Sequence, residues 1–598
     1  MMFTAAGDAP PGRLYNSAAK QRHHGRKPVR DESPQLHAGQ RCGRSSCAAI
    51  LPQFAPSRFR FFDFFNRQKL LLSGAGFVVR LALMGSLSLA VLPWKKFVLR
   101  SLLVILAASL CPALPAQSID GRAIDEIVQD SLKLWEVPGA SLAIVRNDQL
   151  IYLKGYGVKQ LGAAGPVTPD TLFAIASTTK AFTTTAMAML VDERKMDWDD
   201  PVHRHLEYFH LSDPLADQNV TLRDLVTHRT GLSRNDALWD RSPWSREEII
   251  RRIALVKPSR PFRTAFQYNN IMFLAAGEAV AKAAGTTWDD FVRRRIFAPL
   301  GMNSANFSVA VAEKAADHAT PHRKNKQGRV EISSWNNVDN LGGAGCINAS
   351  ARDMSHWLRF QLANGVFNGK RLVSSESLSE THTPQIVVRM DAASRTLNPY
   401  TTQMSYGMGW FIQDYRGHRL LSHTGGLNGF RARVLLVPDA QLAMVLLTNS
   451  SVGSSSASMH VAATNSLLDL LLGSDRTDWN VLMLRQAGRL LSEERARAEE
   501  RQEKRQNGTR PSHPLAGYAG TYQEPAYGSA TVTLKEGGLE LRWNDFVTHL
   551  EHFHYETFTV TGNDELEDEQ VRFDLDTNGE VARMNFLGMD FVKVKAKP

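Results

Sequence analysis

Phe173-Ala174-Ile175-Ala176-Ser177-Thr178-Thr179-Lys180 is the stretch on which the fold turns. A serine followed three residues later by a lysine places both side chains on one face at the start of a helix. The serine hydroxyl needs an acceptor for its proton. A lysine supplies one when burial or a second cation destabilises its ammonium form. Backbone N–H groups at the helix start point where an oxyanion would form. The four-residue pattern alone selects little, since Ser17-Ala18-Ala19-Lys20 matches it as well. Context separates the two. Ser177 to Asp192 reads as a helix apolar on nearly every side, hence central and buried, and it follows a strand region.

Working outward, Ile124–Leu134 has helical spacing, with Ile124, Ile127, Val128 and Leu132 on one face. Ala140–Val145 and Leu150–Gly155 read as a hairpin turning at Asn147-Asp148. Far downstream, Leu420–His423, Ala432–Val437 and Leu442–Leu447 read as three consecutive strands, the last two joined at Pro438-Asp439-Ala440. Strands at both ends and helices between predict an α+β unit over 117–475: an antiparallel sheet built from both termini and flanked by helices.

Two further motifs lie in this unit. In Phe266-Gln267-Tyr268-Asn269-Asn270, Tyr268 offers a phenol that shuttles a proton, and Asn270 an amide that fixes a lysine and a substrate carbonyl. Ser422-His423-Thr424-Gly425-Gly426 ends an apolar strand, and its glycines let a substrate lie against the strand edge. The N–H groups of Gly426 and Ser177 are the expected oxyanion hole, and His423, Thr424 and Gly425 the expected substrate contacts.

Taken in order, Ser-x-x-Lys, Tyr-x-Asn and His-Thr-Gly resemble the serine β-lactamase and penicillin-binding-protein superfamily. The resemblance is to class C β-lactamases and their hydrolase relatives, D-aminopeptidases and carboxylesterases among them. Val137-Pro138-Gly139, Leu225–Leu232, Pro299-Leu300-Gly301-Met302 and Gly342-Gly343-Ala344-Gly345 are similar too, so the likeness runs from about Ile119 to Leu472. It implies a β-lactamase/transpeptidase-like fold and an acyl-enzyme on Ser177, with Lys180, Tyr268 and Asn270 as partners and no cofactor. It also implies esters or D-amino-acid and peptide amides as substrates. Class C enzymes carry Lys-Thr-Gly where this chain has His423. A histidine near its ordinary pKa presents at most a partial charge to a substrate carboxylate. A true β-lactamase is the first alternative; a non-hydrolytic penicillin- or peptidoglycan-binding sensor is the second.

The chain's formal charge of +10 belongs to its beginning. Residues 1–116 hold 16 Lys and Arg against 4 Asp and Glu, and the remainder 54 against 56, so no polyanion-binding signal is left in the folded part. Residues 1–69 read as a disordered basic segment. Leu70–Leu92 is an apolar run, and Trp94–Ala116 has signal-peptide layout, so export to the periplasm or beyond is expected, with a membrane anchor as the second possibility. Three of the four cysteines, Cys42, Cys47 and Cys111, lie in this leader, which leaves Cys346 without a partner. No metal site is expected: His318 and His322 flank Thr320-Pro321 in a loop, and His549, His552 and His554 fall on one strand. Residues 476–512, with the charged run Glu493–Arg505, read as a helical linker. Residues 513–598 read as an all-β barrel, with strands at Ala530–Leu534, Leu539–Trp543, Thr557–Val560, Val571–Asp574 and Val581–Phe586.

Overall fold

A computed structural model describes residues 120–325, 327–453, 457–563 and 565–595. The expected leader, with its apolar runs and three cysteines, lies outside the described residues. Among the described residues no helix is long and apolar enough to cross a membrane.

The sheet expected from both chain termini is present. Its strands are β1 (Gly139–Arg146), β2 (Gln149–Gly157), β3 (Ile386–Val387), β4 (Met404–Tyr406), β5 (Phe411–Tyr415), β6 (His418–Leu427), β7 (Phe430–Val437) and β8 (Leu442–Thr448). They lie in the order β2-β1-β8-β7-β6-β5-β4-β3, every neighbour antiparallel. All of β8 is buried, because the sheet is covered on both sides. Alternation divides the side chains between two cores. Leu142, Ile144, Met444 and Leu446 join one core with helices α1 (Gly121–Trp135), α5 (Met459–Leu472) and α6 (Trp479–Glu503). Ala143, Val145, Val445 and Leu447 join the other, with α2 (Lys180–Asp192), α3 (Asn270–Ala284) and α4 (Ala351–Leu362).

Helix α6 modifies the expectation of a solvated linker. Its charged C-terminal half is exposed, but Trp479 and Met483 in its first turns are buried in the sheet core. The C-terminal barrel closes with eight antiparallel strands in sequential order, from Gly520–Glu524 to Met589–Lys593. Five of them had been legible as apolar alternation. Phe546–His554 had not, because His549, Glu551 and two further histidines mask the inward-facing Phe546, Leu550 and Phe553. The barrel meets the hydrolase unit through apolar contacts at Ala237 and Ala526 and through polar ones. Arg241 pairs with Glu565 at 2.6 Å, Asn428 Nδ2 donates to Glu565 Oε1 at 3.0 Å, and Tyr527 O–H donates to Asn235 Oδ1 at 3.1 Å. Arg252 Nη1 adds bonds to the carbonyls of Pro525 and Ala526.

Candidate active site

Ser177 sits in a short 3-10 turn, Ala176–Thr179, that runs directly into α2. Ala176 before it holds φ at 48°, a left-handed conformation that costs a non-glycine residue free energy and turns the chain sharply. Ser177 is half-buried while every neighbour from Thr171 to Leu190 is buried, so its hydroxyl is the part of this run that solvent reaches.

Lys180 begins α2 and is fully buried. Its Nζ lies 2.7 Å from Asn270 Oδ1, 2.8 Å from the Ala344 carbonyl and 3.2 Å from Ser177 Oγ. Burial, reinforced by the Arg234 charge, holds its pKa well below the usual lysine range. Two glycine contacts bring the Ala344 carbonyl there. A Cβ on Gly343 would stand 2.8 Å from Thr183 Oγ1, and one on Gly277 of α3 3.4 Å from Gly343 Cα, so the Gly-Gly-Ala-Gly segment packs tightly between α2 and α3.

The Tyr-x-Asn motif straddles the start of α3. Asn269 is the N-cap, its Oδ1 accepting from the N–H groups of Ile271 and Met272, and this places Tyr268 just outside the helix and Asn270 just inside. Asn270 Nδ2 donates to Asp236 Oδ1 at 2.9 Å, which fixes its oxygen toward Lys180. Asp236 also accepts from Trp239 Nε1 at 2.8 Å and Arg234 Nε at 2.7 Å. Burial pushes the Tyr268 phenol pKa up. Lys180 Nζ and Arg234 Cζ lie 4.9 Å and 5.0 Å from its ring centre.

The third motif lies on β6, which packs against the Ser177 turn. A Cβ on Gly425 would stand 2.1 Å from the Ile175 carbonyl, so only glycine fits there. Thr424 and Gly426 alternate with buried neighbours and are partly open. His423 corrects the expectation of a partly charged ring. It is buried, its Nδ1 lies 2.7 Å from the Thr424 carbonyl, and its Nε2 lies 3.2 Å from the Tyr406 hydroxyl. Burial lowers its pKa to about 3, so the ring stays neutral at physiological pH. With Nδ1–H donated to the carbonyl, Nε2 accepts from Tyr406.

The structure thus gathers Ser177, Lys180, Tyr268 and Asn270, and sets β6, with His423 to Gly426, beside them. It adds residues the motifs did not name: Asp236, Arg234, Trp239 and the Ala344 carbonyl. It adds His228 too, a fully buried ring 4.4 Å from that of Tyr268, whose Nδ1 accepts the Asn269 N–H. His228 lies within the Leu225–Leu232 stretch and Ala344 within Gly342–Gly345, the two signals the sequence offered.

The Beta-lactamase family model matches residues 124–469. The chain belongs to this family. A relative at 30% identity over 439 residues, covering 69% of this chain and 77% of its own, is the unguisins hydrolase ungD' of Aspergillus campestris (strain IBT 28561). Protein flp of Staphylococcus aureus (strain MW2) is 25% identical over 334 residues, covering 55% of this chain and 63% of that protein. Among solved structures, the octameric penicillin-binding protein homologue from Pyrococcus abyssi aligns with a TM-score of 0.51 at 21% identity, over 79% of this chain and 100% of that one, a likeness of fold. This β-lactamase-family member is a serine hydrolase. Its residues 504–597 match a domain of unknown function, DUF3471.

Elsewhere in the hydrolase unit, His322 spends both ring nitrogens on backbone, the Asn449 carbonyl and the Leu161 N–H. His203, His210 and Asp217 bring potential ligand atoms within 4.8 Å of one another. They are already joined by hydrogen bonds, His203 Nε2 to the Asp217 carbonyl at 2.9 Å and His210 Nδ1 to Asp217 Oδ2 at 3.3 Å.

Proposed function

We propose that the protein hydrolyses esters or D-amino-acid and peptide amides through an acyl-enzyme on Ser177. The observation that carries this is the buried amine of Lys180. A neutral amine has two N–H donors and one lone pair. Asn270 Oδ1 and the Ala344 carbonyl take the two donors, and the lone pair is left for the Ser177 hydroxyl. Lys180 then accepts the proton as Ser177 attacks the carbonyl. Tyr268, kept protonated by burial, hands a proton to the leaving group and recovers one from Lys180. The N–H groups of Ser177 and Gly426 hold the oxyanion, and a water completes the cycle.

Substrate preference follows from His423. A neutral imidazole with both nitrogens bonded offers no charge at the third motif, where class C enzymes present a lysine to the β-lactam carboxylate, so short acyl esters and D-amino-acyl amides are favoured over nitrocefin. Unguisins join the screen because a relative is named for them. The test is fluorophosphonate labelling followed by mass spectrometry. A single adduct on Ser177, absent from Ser177→Ala, is expected; a full adduct on the variant would reassign the nucleophile. Ester adducts that decay support a hydrolase, and adducts that persist support the sensor alternative. Nitrocefin turned over faster than every ester and amide would promote the β-lactamase alternative.

A further inference from the structure

With Lys180 and His423 both held toward neutrality, Arg234 is a cation beside the reacting groups. Its geometry differs from that of the arginines that tie loops together in this unit. The side chain is 45% exposed, while its partner carboxylate on Asp236 is 4% exposed. Asp236 is engaged through Nε alone, at 2.7 Å. Among the described residues the two terminal nitrogens of Arg234 have no hydrogen-bond partner, and the guanidinium lies 5.0 Å from the ring centre of Tyr268. Arg431, near Gly426, makes the contrast: its terminal nitrogens are spent on the carbonyls of Leu427, Phe430, Ser451 and Gly453.

The loop that presents Arg234 is anchored from two sides. Asn269, the cap of α3, donates to the Ser233 carbonyl, and Tyr527 of the barrel donates to Asn235. Ala237 is buried in the barrel's core. A guanidinium oriented through Nε, with its two-pronged end open beside the catalytic phenol, matches a carboxylate in charge and spacing. Holding it in place before substrate arrives lowers the ordering cost of binding.

We propose that Arg234 is an anion-binding subsite beside Tyr268, separate from the third-motif strand that carries His423, and that the preferred esters and amides carry a carboxylate close to the scissile carbonyl. This rests on the acyl-enzyme reading above. The carboxylate can belong to the acyl part or to the leaving group, and two substrate pairs separate these sources. One pair is p-nitrophenyl hemiglutarate and p-nitrophenyl pentanoate; the other is 4-carboxyphenyl acetate and 4-(methoxycarbonyl)phenyl acetate.

In the wild type, kcat/KM favours the carboxylate member of at least one pair. Arg234→Gln is expected to lower that preference by about tenfold or more, chiefly through KM, and Arg234→Lys to restore part of it. Arg234 also depresses the Lys180 pKa. Removing it therefore changes the rate for both members of a pair, and the ratio cancels this effect. Raising the salt concentration shrinks the wild-type preference and leaves that of Arg234→Gln unchanged. Preferences that stay within about twofold between wild type and Arg234→Gln for both pairs, with the Ser177 adduct still forming, overturn the Arg234 assignment alone. Absence of a Ser177 adduct in the wild type would overturn the acyl-enzyme reading beneath it.

Discussion

The hydrolase unit and the C-terminal barrel are both built on antiparallel strands, yet their interiors differ in kind. Around Ser177 lie Lys180, Asn270, Asp236, His228 and His423, all buried. Inside the barrel lie Tyr518, Tyr522, Trp543, Phe558, Phe573, Phe586 and Phe591, and among the described residues its buried polar side chains are Thr548 and Thr557. Buried polar groups cost stability unless each is matched, so a protein keeps them where chemistry requires them. The barrel interior is filled by aromatic rings, and its polar reach is outward, through Tyr527 and Glu565 to the hydrolase unit. The contrast assigns chemistry to the first region and support to the second.

The largest expected effect tests the first half of that contrast. Ser177→Ala and Lys180→Ala should each lower kcat/KM by at least about a thousandfold, and the double variant by little more than either, because the two act as one unit. Steady-state ester hydrolysis reads this; losses that multiply would mean the two residues act independently. Next comes Asp236→Asn. It preserves shape but removes the charge that accepts from Asn270, Trp239 and Arg234, and a fall of about 10–100-fold in kcat is expected. A loss under about twofold would show that the Asp236 network is dispensable.

The junction supplies a pH test. Burial, with the nearby Glu565 charge adding to it, raises the Asp240 pKa from 3.8 to about 6, although Asn336 donates to it at 2.9 Å. The folded state therefore holds this proton more tightly than the unfolded chain. Its contribution to stability is full below about pH 4 and is lost as pH rises through about 6. Asp240→Asn should flatten that decline, gaining at most about 3 kcal/mol at pH 8. Chemical denaturation at pH 4 and pH 8 measures it, and an unchanged pH slope would count against a buried, strained carboxylate.

The smallest effects address the barrel. Tyr527→Phe should raise KM by about two- to fivefold while changing Tm little, since one part-buried hydrogen bond is lost. Trp543→Phe, inside the barrel, should do the reverse: lower Tm, and leave kcat per folded molecule unchanged. If Trp543→Phe alters kcat instead, the barrel is part of the chemistry and the contrast fails.

The parts legible in the sequence share a property: their meaning is local. Ser177 and Lys180 are three residues apart on one helix face, Tyr268 and Asn270 bracket a helix cap, and the strands β6 to β8 carry short apolar runs at Leu420–His423, Ala432–Val437 and Leu442–Leu447. What stayed hidden acts across long separations or through backbone. Asp236 reaches Asn270 from 34 positions away, and Ala344 reaches Lys180 from 164 away with a carbonyl that any residue type would carry. His423 was visible as a residue type, but its charge state depends on burial, which its neighbours in sequence do not encode. Arg234 and Tyr527 gain meaning only when the barrel is docked.

The order of the sheet also bears on how the chain is made. β1 pairs along its whole length with β8, Ala140 opposite Thr448, and the Gly139 N–H is satisfied by Asn449, 310 residues later. At roughly 5–20 residues per second, a ribosome delivers that partner about 15–60 s after β1 emerges. Throughout that interval the inner backbone edge of β1 is unpaired, and Leu142 and Ile144 lack their neighbours Leu446 and Met444. An edge of that kind templates pairing with other chains. Nascent-chain aggregation should therefore begin at the first hairpin, and a chaperone that shields Gly139–Arg146 would govern the yield of folded protein.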